Sequence, residues 1–280
     1  MKTINGIDDM MQASASLRSE KLRIAFVPTM GFLHEGHLSL VREGKKRGDK
    51  VVVSIFINPM QFDEQADLQA YPVSFKRDTD RLEAEGVDIL FAPQISEIYP
   101  EGFQTSVALS RLSKGLCGDS RPGHFTGVAT IVAKLFNIIR PDIAIFGEKD
   151  YQQLALIRQM VHDLSFAIDI VGMPIVREAD GLAMSSRNSR LKKGDRTAAL
   201  SLYRALKKGA DMFRSGERSV EAVIRAAKGE LDSSIALDYI EIRDPLTLEI
   251  LKTVNKDALF AIAAKLGDVR LIDNIILQEN

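Results

Sequence analysis

The feature that most constrains the fold is an alternation of short apolar runs with helical patterns over the first 170 or so residues. Several of these runs are apolar without polar alternation, as expected for strands that are covered on both faces. We predict strands at residues 22–27, 51–57, 87–91, 106–109, 143–146 and 167–171. We predict helices between them at residues 36–47, 75–85, 126–139 and 151–164. Strands and helices in this order predict an α/β fold with a Rossmann-like, doubly wound parallel sheet.

The pattern changes after about Val176. Two amphipathic helices are predicted at residues 195–214 and 219–231, with Ser219 as the N-cap of the second. Strands are then predicted at residues 236–242, 258–264 and 269–276. Helices followed by strands indicate a smaller α+β C-terminal domain. We therefore divide the chain into domains at residues 1–176 and 177–280, and the polar segment 177–194 is the expected junction.

Composition excludes several classes of protein. Lys and Arg number 37 and Asp and Glu number 38, so the net charge is −1 and gives no bulk attraction to nucleic acid or to an anionic membrane. The first 20 residues lack the apolar core of a signal peptide, and no run approaches the roughly 18 apolar residues of a membrane span. The single cysteine, Cys117, can form no internal disulfide. We expect a cytoplasmic protein that binds neither nucleic acid nor membrane.

The turn after the first predicted strand carries the most informative chemistry. Ligands bind beyond the carboxyl ends of the strands in an open parallel sheet, and the segment there reads PTMGFLHEGH, residues 28–37. Gly31 permits a tight turn, while His34 and His37 fall where a helix begins, a position that suits phosphate. The alternatives are two solvated histidines on a surface loop, or a zinc site. Zinc is disfavoured because the spacing is not HExxH and no third ligand is near in sequence.

Neutral and charged polar residues follow two further strands. Asn58 and Gln61 follow the second strand, and their amides suit hydroxyl and carboxylate groups, although an ordinary turn is the alternative. After the strand at 143–146, Lys149 can neutralise phosphate charge and Gln153 can face the cleft. Asp150 can bind ribose hydroxyls or cap the following helix, and the alternative for the segment is helix capping beside a solvated lysine.

Two more polar segments are candidates for the cleft. Residues 184–187, Met-Ser-Ser-Arg, combine two hydroxyls with a guanidinium and can clamp a triphosphate, although polar loops are common. Residues 121–127 can form a cleft wall or a subunit contact, with His124 in a structural role. The sequence contains no GxxxxGK[ST], no GxGxxG after the first strand and no GxSxG. P-loop, dinucleotide-redox and serine-hydrolase chemistry are therefore unsupported.

These motifs together resemble a known family. The HEGH element at residues 34–37 looks like the HxGH motif of the nucleotidyltransferase superfamily. The segments PTMGFLHEGHLSL, FINPMQF, RPGHFTGVAT, FGEKDYQQL and READGLAMSSRN follow in order and closely resemble the pantothenate synthetase (pantoate–β-alanine ligase) family. The resemblance extends into the C-terminal part through DYIEIRDP and RLIDN.

The resemblance implies an ATP-dependent ligation in two steps. The carboxylate of (R)-pantoate attacks the α-phosphorus of ATP, giving pantoyl adenylate and pyrophosphate; the amine of β-alanine then gives pantothenate and AMP. The family uses Mg²⁺, serves coenzyme A synthesis in the cytoplasm and is typically a homodimer. The larger domain would bind nucleotide and pantoate, and the smaller one would act as a lid. The sequence leaves the metal ligands unknown.

The resemblance also assigns roles to individual residues. It implies catalytic roles for His37, His34, Lys149 and Arg187. It implies pantoate contacts for Gln61 and Gln153, with Gln61 also serving β-alanine. The resemblance implies that His37 acts as a proton donor. Because the unperturbed pKa of histidine is about 6.5, His37 could equally act as a neutral hydrogen-bond donor to phosphate. The implied ATP contacts are Met30, Gly31, Phe32, Leu33, His34, Glu35, Gly36, His37, Gly147, Glu148, Lys149, Asp150, Val176, Met184, Ser185, Ser186 and Arg187.

Two other functions remain as alternatives. An adenylyltransferase that joins a phosphate ester to AMP would keep both histidines but would need a cationic pocket for its second phosphate. The neutral set Asn58, Gln61 and Gln153 disfavours that interpretation. A non-enzymatic nucleotide-binding module would bind ATP without releasing pyrophosphate.

Overall fold

The computed structural model describes residues 1–63, 65–192 and 194–278. Within these ranges the chain forms a six-stranded parallel sheet and, after it, a three-stranded antiparallel sheet. The strands are β1 (Lys2–Ile4), β2 (Ile24–Thr29), β3 (Lys50–Ile55), β4 (Ile89–Phe91), β5 (Ile143–Gly147), β6 (Asp169–Met173), β7 (Ala236–Arg243), β8 (Ala258–Leu266) and β9 (Val269–Leu277).

Helices connect the strands of the larger sheet and cover one face of the smaller one. The α-helices are α1 (Ile7–Ser19), α2 (Glu35–Arg47), α3 (Gln65–Gln69), α4 (Phe75–Ala84), α5 (Ile95–Ile98), α6 (Cys117–Ser120), α7 (His124–Ile139), α8 (Tyr151–Asp163), α9 (Arg196–Arg214) and α10 (Val220–Lys228). Short 3₁₀ turns cover Pro59–Gln61, Glu148–Asp150 and Ser186–Arg190. As predicted, α10 begins after Ser219, whose hydroxyl accepts a hydrogen bond from the backbone N–H of Ala222.

The order of the larger sheet, β1-β4-β3-β2-β5-β6, changes direction at β2. Strands β2 and β3 remain paired as far as Thr29 and Ile55. By contrast, β2 and β5 are paired only as far as Phe26 and Ala144. Because the two strands separate beyond that point, a crevice opens at their carboxyl ends, where open parallel sheets bind ligands.

Both faces of the central strands of the larger sheet are buried, as the unbroken apolar runs predict. In β2, Ile24 and Phe26 belong to a core shared with α1, α7 and α8. The alternate residues Ala25 and Val27 pack in a second core with α2 and α4. All four side chains are fully buried. Successive strand residues point to opposite faces, so helices on both faces explain why β2 carries no polar alternation.

The smaller sheet packs against the larger domain through one of its faces. In β8, Phe260 and Ile262 lie in a core with α9 and α10. Their neighbours Leu259 and Ala261 point the other way and join the core of the larger domain. The predicted doubly wound sheet with a smaller α+β part is confirmed. The domain boundary at 176/177 remains a prediction.

The sequence-based prediction was wrong about one strand, and it missed strand β1 and the helices α1, α3, α5 and α6. Residues 106–109 form no strand; instead the backbone N–H of Val107 donates to Thr130 Oγ1 on α7, so the segment lies along a helix rather than at a sheet edge. Strand β1 is three residues long, pairs with β4 and is too short to show a hydrophobic periodicity. In the described ranges, no helix combines the length and apolarity that a membrane crossing requires.

Candidate active site

A cavity of about 230 Å³ lies in the crevice at the switch in strand order. Most residues predicted to bind ATP or pantoate line it. These are Met30, His34, Gly36, His37, Gln61, Gly147, Lys149, Asp150, Gln153, Val176, Met184, Ser185, Ser186 and Arg187. A wider cleft of about 660 Å³ continues from it towards the smaller sheet. The two spaces share a wall that includes Lys149, Asp150, Gln153 and Arg187.

Five residues predicted to contact ATP do not line either cavity: Gly31, Phe32, Leu33, Glu35 and Glu148. The Phe32 ring instead lies 4.0 Å from the guanidinium carbon of Arg77. Leu33 is buried between the sheet and its helices. The carboxylate of Glu35 pairs with Arg42 on the surface. Contacts of these residues with ATP stay predictions.

A carboxylate that the sequence analysis did not single out holds the turn after β2. Gly31 has φ +83° and Phe32 has φ +50°, so the backbone here lies in the left-handed region. The buried carboxylate of Asp78, on α4, accepts hydrogen bonds from the backbone N–H groups of Phe32 at 2.6 Å and of Leu33 at 2.8 Å. Arg81 donates to the Leu33 carbonyl. These charge-assisted bonds stabilise a turn in which Phe32, a non-glycine residue, adopts an unfavourable positive φ.

The two histidines of HEGH contact each other at the start of α2. The Nδ1 atom of His37 accepts a hydrogen bond from the backbone N–H of His34 at 3.3 Å, and the ring centroids are 4.1 Å apart. A Cβ atom on Gly36 would lie 3.0 Å from the His34 ring, so glycine leaves the space into which that ring folds. Since Nδ1 of His37 acts as an acceptor, its proton resides on Nε2.

Both rings are uncharged at neutral pH. Burial, reinforced by the charge of Lys149, lowers the pKa of His34 to about 4. Burial, together with His34 and Lys149, lowers the pKa of His37 to about 3. A neutral ring with its proton on Nε2 can donate a hydrogen bond to a phosphate oxygen. The geometry therefore favours a neutral donor over an imidazolium acid at position 37.

A hydrogen-bonded chain orients the Gln61 amide. The amide nitrogen of Asn58 donates to Gln61 Oε1 at 3.2 Å and to the Gly127 carbonyl at 3.0 Å. The Tyr99 hydroxyl donates to Asn58 Oδ1 at 2.8 Å. With its oxygen satisfied in this way, Gln61 turns its NH₂ group towards Met30 Sδ, 2.8 Å away on the cavity wall. The predicted pantoate-binding amide thus presents donors to the cavity.

The side chains of Arg121 and His124 hold the 3₁₀ turn at Pro59–Gln61 by bonding to its backbone. The guanidinium of Arg121 donates to the Gln61 carbonyl at 3.2 Å and pairs with Asp63 at 3.0 Å. His124 Nδ1 donates to the same carbonyl at 2.6 Å. Burial and then the charge of Arg121 lower the pKa of His124 to about 4. These contacts agree with the structural role expected for His124, which also lines both cavities.

The cationic side of the site comes from two 3₁₀ turns. Lys149 lies in the turn after β5, and Arg187 lies in the turn at Ser186–Arg190. The guanidinium of Arg187 pairs with Asp67 at 2.8 Å, and Arg190 pairs with the other oxygen of that carboxylate at 3.2 Å. Asp150 occupies the N-cap position of α8, but its side chain makes no capping hydrogen bond. Its carboxylate is exposed on the wall of both cavities.

Comparison with known proteins decides the family. A family model described as pantoate-beta-alanine ligase matches residues 2–276. The chain belongs to the pantoate–β-alanine ligase family. It is 53% identical over 279 residues to a protein named pantothenate synthetase from Pelobacter propionicus, covering 99% of this chain and 98% of that one. A pantothenate synthetase from Thermotoga petrophila is 49% identical over 279 residues, covering 99% of this chain and all of that relative. The resemblance inferred from the motifs is confirmed.

Solved structures of this family have the same fold. Pantothenate synthetase from Thermus thermophilus superposes with a TM-score of 0.95 at 43% identity over the whole of both chains. Pantoate-beta-alanine ligase from Francisella tularensis, whose structure contains beta-gamma ATP and beta-alanine, gives a TM-score of 0.83 at 34% identity, covering 100% of this chain and 99% of that one. The predicted fold class and ligase class are thereby confirmed.

Proposed function

We propose that this ligase joins (R)-pantoate to β-alanine at the expense of ATP, through a pantoyl adenylate that forms in the crevice between β2 and β5. The observation that carries the proposal is that two uncharged histidines, two glutamine amides and a lysine converge on a single cavity. This set combines donors for a phosphate chain with neutral partners for a hydroxy acid. Such a combination suits a reaction in which a carboxylate attacks a nucleotide.

In the first step the pantoate carboxylate attacks the α-phosphorus and pyrophosphate leaves. Pantoate has two hydroxyls and one carboxylate, and the amides of Gln61 and Gln153 can bind them without neutralising the nucleophile. A lysine in direct contact with that carboxylate would lower its reactivity. Because Asn58 fixes the Gln61 amide, little reorganisation is needed when pantoate binds.

Charge develops on the α-phosphate and on the departing pyrophosphate. Donors and cations that are already in position stabilise that charge most effectively. We assign this role to the Nε2–H of His37, to His34, to Lys149 and to Arg187. The start of α2 adds backbone N–H groups and a partial positive charge. The remaining ATP contacts stand as proposed from the sequence, with Val176, Met184, Ser185 and Ser186 on the far wall of the cavity.

In the second step the amine of β-alanine attacks the acyl carbon and AMP leaves. The wider cleft adjoins the first cavity along Lys149 and Gln153, which gives the amine a route to the mixed anhydride. The Francisella relative binds β-alanine, which supports this use of the site. We also propose that the domain at residues 177–280 acts as a lid that excludes water from the anhydride.

The cofactor, assembly and location complete the proposal. In the described residues, no group of three or more His, Cys, Asp or Glu side chains could hold a metal ion. Mg²⁺ commonly binds through one or two carboxylates plus phosphates and keeps several waters. Asp150, exposed on both cavity walls, fits this pattern and would hold an Mg²⁺ ion that neutralises phosphate charge.

By family resemblance we propose a homodimer in the cytoplasm, where ATP is available.

The test is the formation of AMP by the purified protein. Production of one AMP per pantothenate, only when ATP, pantoate and β-alanine are all present, supports the proposal. An adenylyltransferase would instead consume ATP with a phosphorylated acceptor, and a binding module would release no pyrophosphate. Either of these results rejects the ligase reaction.

A further inference from the structure

A buried asparagine from the smaller sheet is bonded to the backbone that carries Lys149. Asn274 lies on β9 and is 5% exposed. Its side-chain nitrogen donates to the carbonyl of Glu148 at 2.9 Å and to the carbonyl of Lys149 at 3.0 Å. An amide NH₂ group has two protons to donate, so this side chain uses both of them on two successive peptide units of the nucleotide-binding turn.

The peptide that carries Asn274 is itself fixed. Asp273 is buried and accepts two hydrogen bonds from the Arg177 guanidinium, at 2.7 and 2.9 Å. The same carboxylate accepts the backbone N–H of Asn274 at 2.8 Å. The Arg177 guanidinium lies 3.9 Å from the centroid of the Tyr203 ring. The backbone of Asn274 is therefore held by the bidentate ion pair between Arg177 and Asp273.

We propose that Asn274 is a positioning residue for ATP binding: it fixes the Glu148–Lys149 backbone so that the Lys149 side chain points into the cavity shared with His34 and His37. The inference rests on the proposed nucleotide site. Lys149 reaches that cavity through a flexible stem of four carbons, so its location depends on the anchoring of its backbone. The bond also links the two parts of the chain. Any closing movement of residues 177–280 must either carry Lys149 with it or pivot at Asn274.

The decisive variant is Asn274→Leu, which keeps a similar shape and removes both donors. We expect the dissociation constant for ATP, measured by calorimetry, to rise about tenfold, the loss expected from one or two ordinary hydrogen bonds. The KM for ATP should rise with it, while the KM for β-alanine stays unchanged. Should Asn274→Leu fail to fold, Asn274→Ser, which keeps a single donor, should raise the dissociation constant at least about threefold.

A destabilised control separates positioning from general stability. Val223→Ala removes buried apolar atoms from the core of α9, α10 and the smaller sheet, a core that contains neither Glu148 nor Lys149. It should lower the melting temperature as Asn274→Leu does, yet leave the ATP dissociation constant unchanged. If Asn274→Leu matches Val223→Ala in both measurements, Asn274 has a structural role only and the inference is overturned.

A double-mutant cycle distinguishes failure of this inference from failure of the proposed site. Lys149→Met should weaken ATP binding, and adding Asn274→Leu to it should cause little further loss, because both act through one ammonium group. Full additivity overturns the inference and leaves the site intact. If Lys149→Met binds ATP normally, the proposed nucleotide site itself is wrong.

Discussion

The Nδ1 atom of His37 accepts the backbone N–H of His34, 3.3 Å away, and this bond fixes which nitrogen of His37 faces the site. The acceptor nitrogen of the His37 ring is thereby used within the first turn of α2. The Nε2–H group remains free to donate a hydrogen bond to a ligand. Gly36 allows the arrangement because a side chain there would meet the His34 ring. The spacing of HEGH thus has a local geometric reason as well as a chemical one.

Replacing His37 by alanine should remove most turnover from a folded protein. A donor aimed at developing phosphate charge contributes about 2.7–4 kcal/mol to the barrier, so kcat should fall about 10²–10³-fold. Steady-state assays of AMP release measure this. The control is His162→Ala, since His162 is exposed on α8 and contacts Asp163 only through a surface pair. Wild-type turnover in His37→Ala would remove the residue from the catalytic set.

The buried histidines should make the fold less stable in mild acid. His34, His37 and His124 have pKa values of about 3 to 4 in the folded chain, below the 6.5 of an unfolded histidine. The unfolded state therefore binds more protons below pH 6.5, and stability that is complete above that pH is lost as the pH falls towards 4. Each residue should contribute at least about 1 kcal/mol between pH 7 and pH 5.

Urea unfolding at the two pH values measures this loss. His124→Gln should unfold with a smaller difference in free energy between pH 7 and pH 5 than the wild type. A free energy of unfolding that is the same at both pH values in the wild type contradicts the assigned pKa shifts.

Asp78→Asn should weaken both the fold and nucleotide binding. The carboxylate accepts two backbone N–H groups from the turn at Phe32 and Leu33, and an amide in its place can accept from only one of them. We expect a loss of about 2 kcal/mol in the free energy of unfolding and a higher KM for ATP. Asp80→Asn is the matched control, because Asp80 lies on the same helix, exposed, and pairs with Lys76. Equal behaviour of the two variants would show that Asp78 does not organise the turn.

Gln153→Ala should raise the KM for pantoate more than the KM for ATP. Its amide lies on the wall shared by the two cavities, where it can meet the hydroxy acid. Initial rates with each substrate varied in turn give the two constants. Equal losses for both substrates would assign Gln153 to a different part of the site.

The sequence predicted several local segments that line the candidate cavity. HEGH, the 147–153 segment and the 184–187 segment each carry their chemistry next to a strand end or junction, so motif and position agree. Asp78 and Asn274 escaped prediction for the opposite reason. Each supports a turn 45 or more residues away. Asn274 belongs to the RLIDN stretch, but that stretch does not reveal which turn the side chain holds.

The errors in the fold have a similar origin. The apolar run at 106–109 has strand character, but it pairs with no strand of either sheet. The run instead packs on α7, where Thr130 satisfies a backbone N–H. Strand β1 pairs with β4, which lies more than 80 residues further along the chain. A run of three residues carries too little pattern to predict such a pairing. Tertiary context decided both cases.

Isotope exchange between pyrophosphate and ATP tests the central claim most directly, because it reports the first step without β-alanine. We predict that labelled pyrophosphate enters ATP only when pantoate is present, and that His37→Ala abolishes this exchange. Exchange that proceeds without pantoate, or that requires a phosphorylated acceptor in its place, would contradict the account.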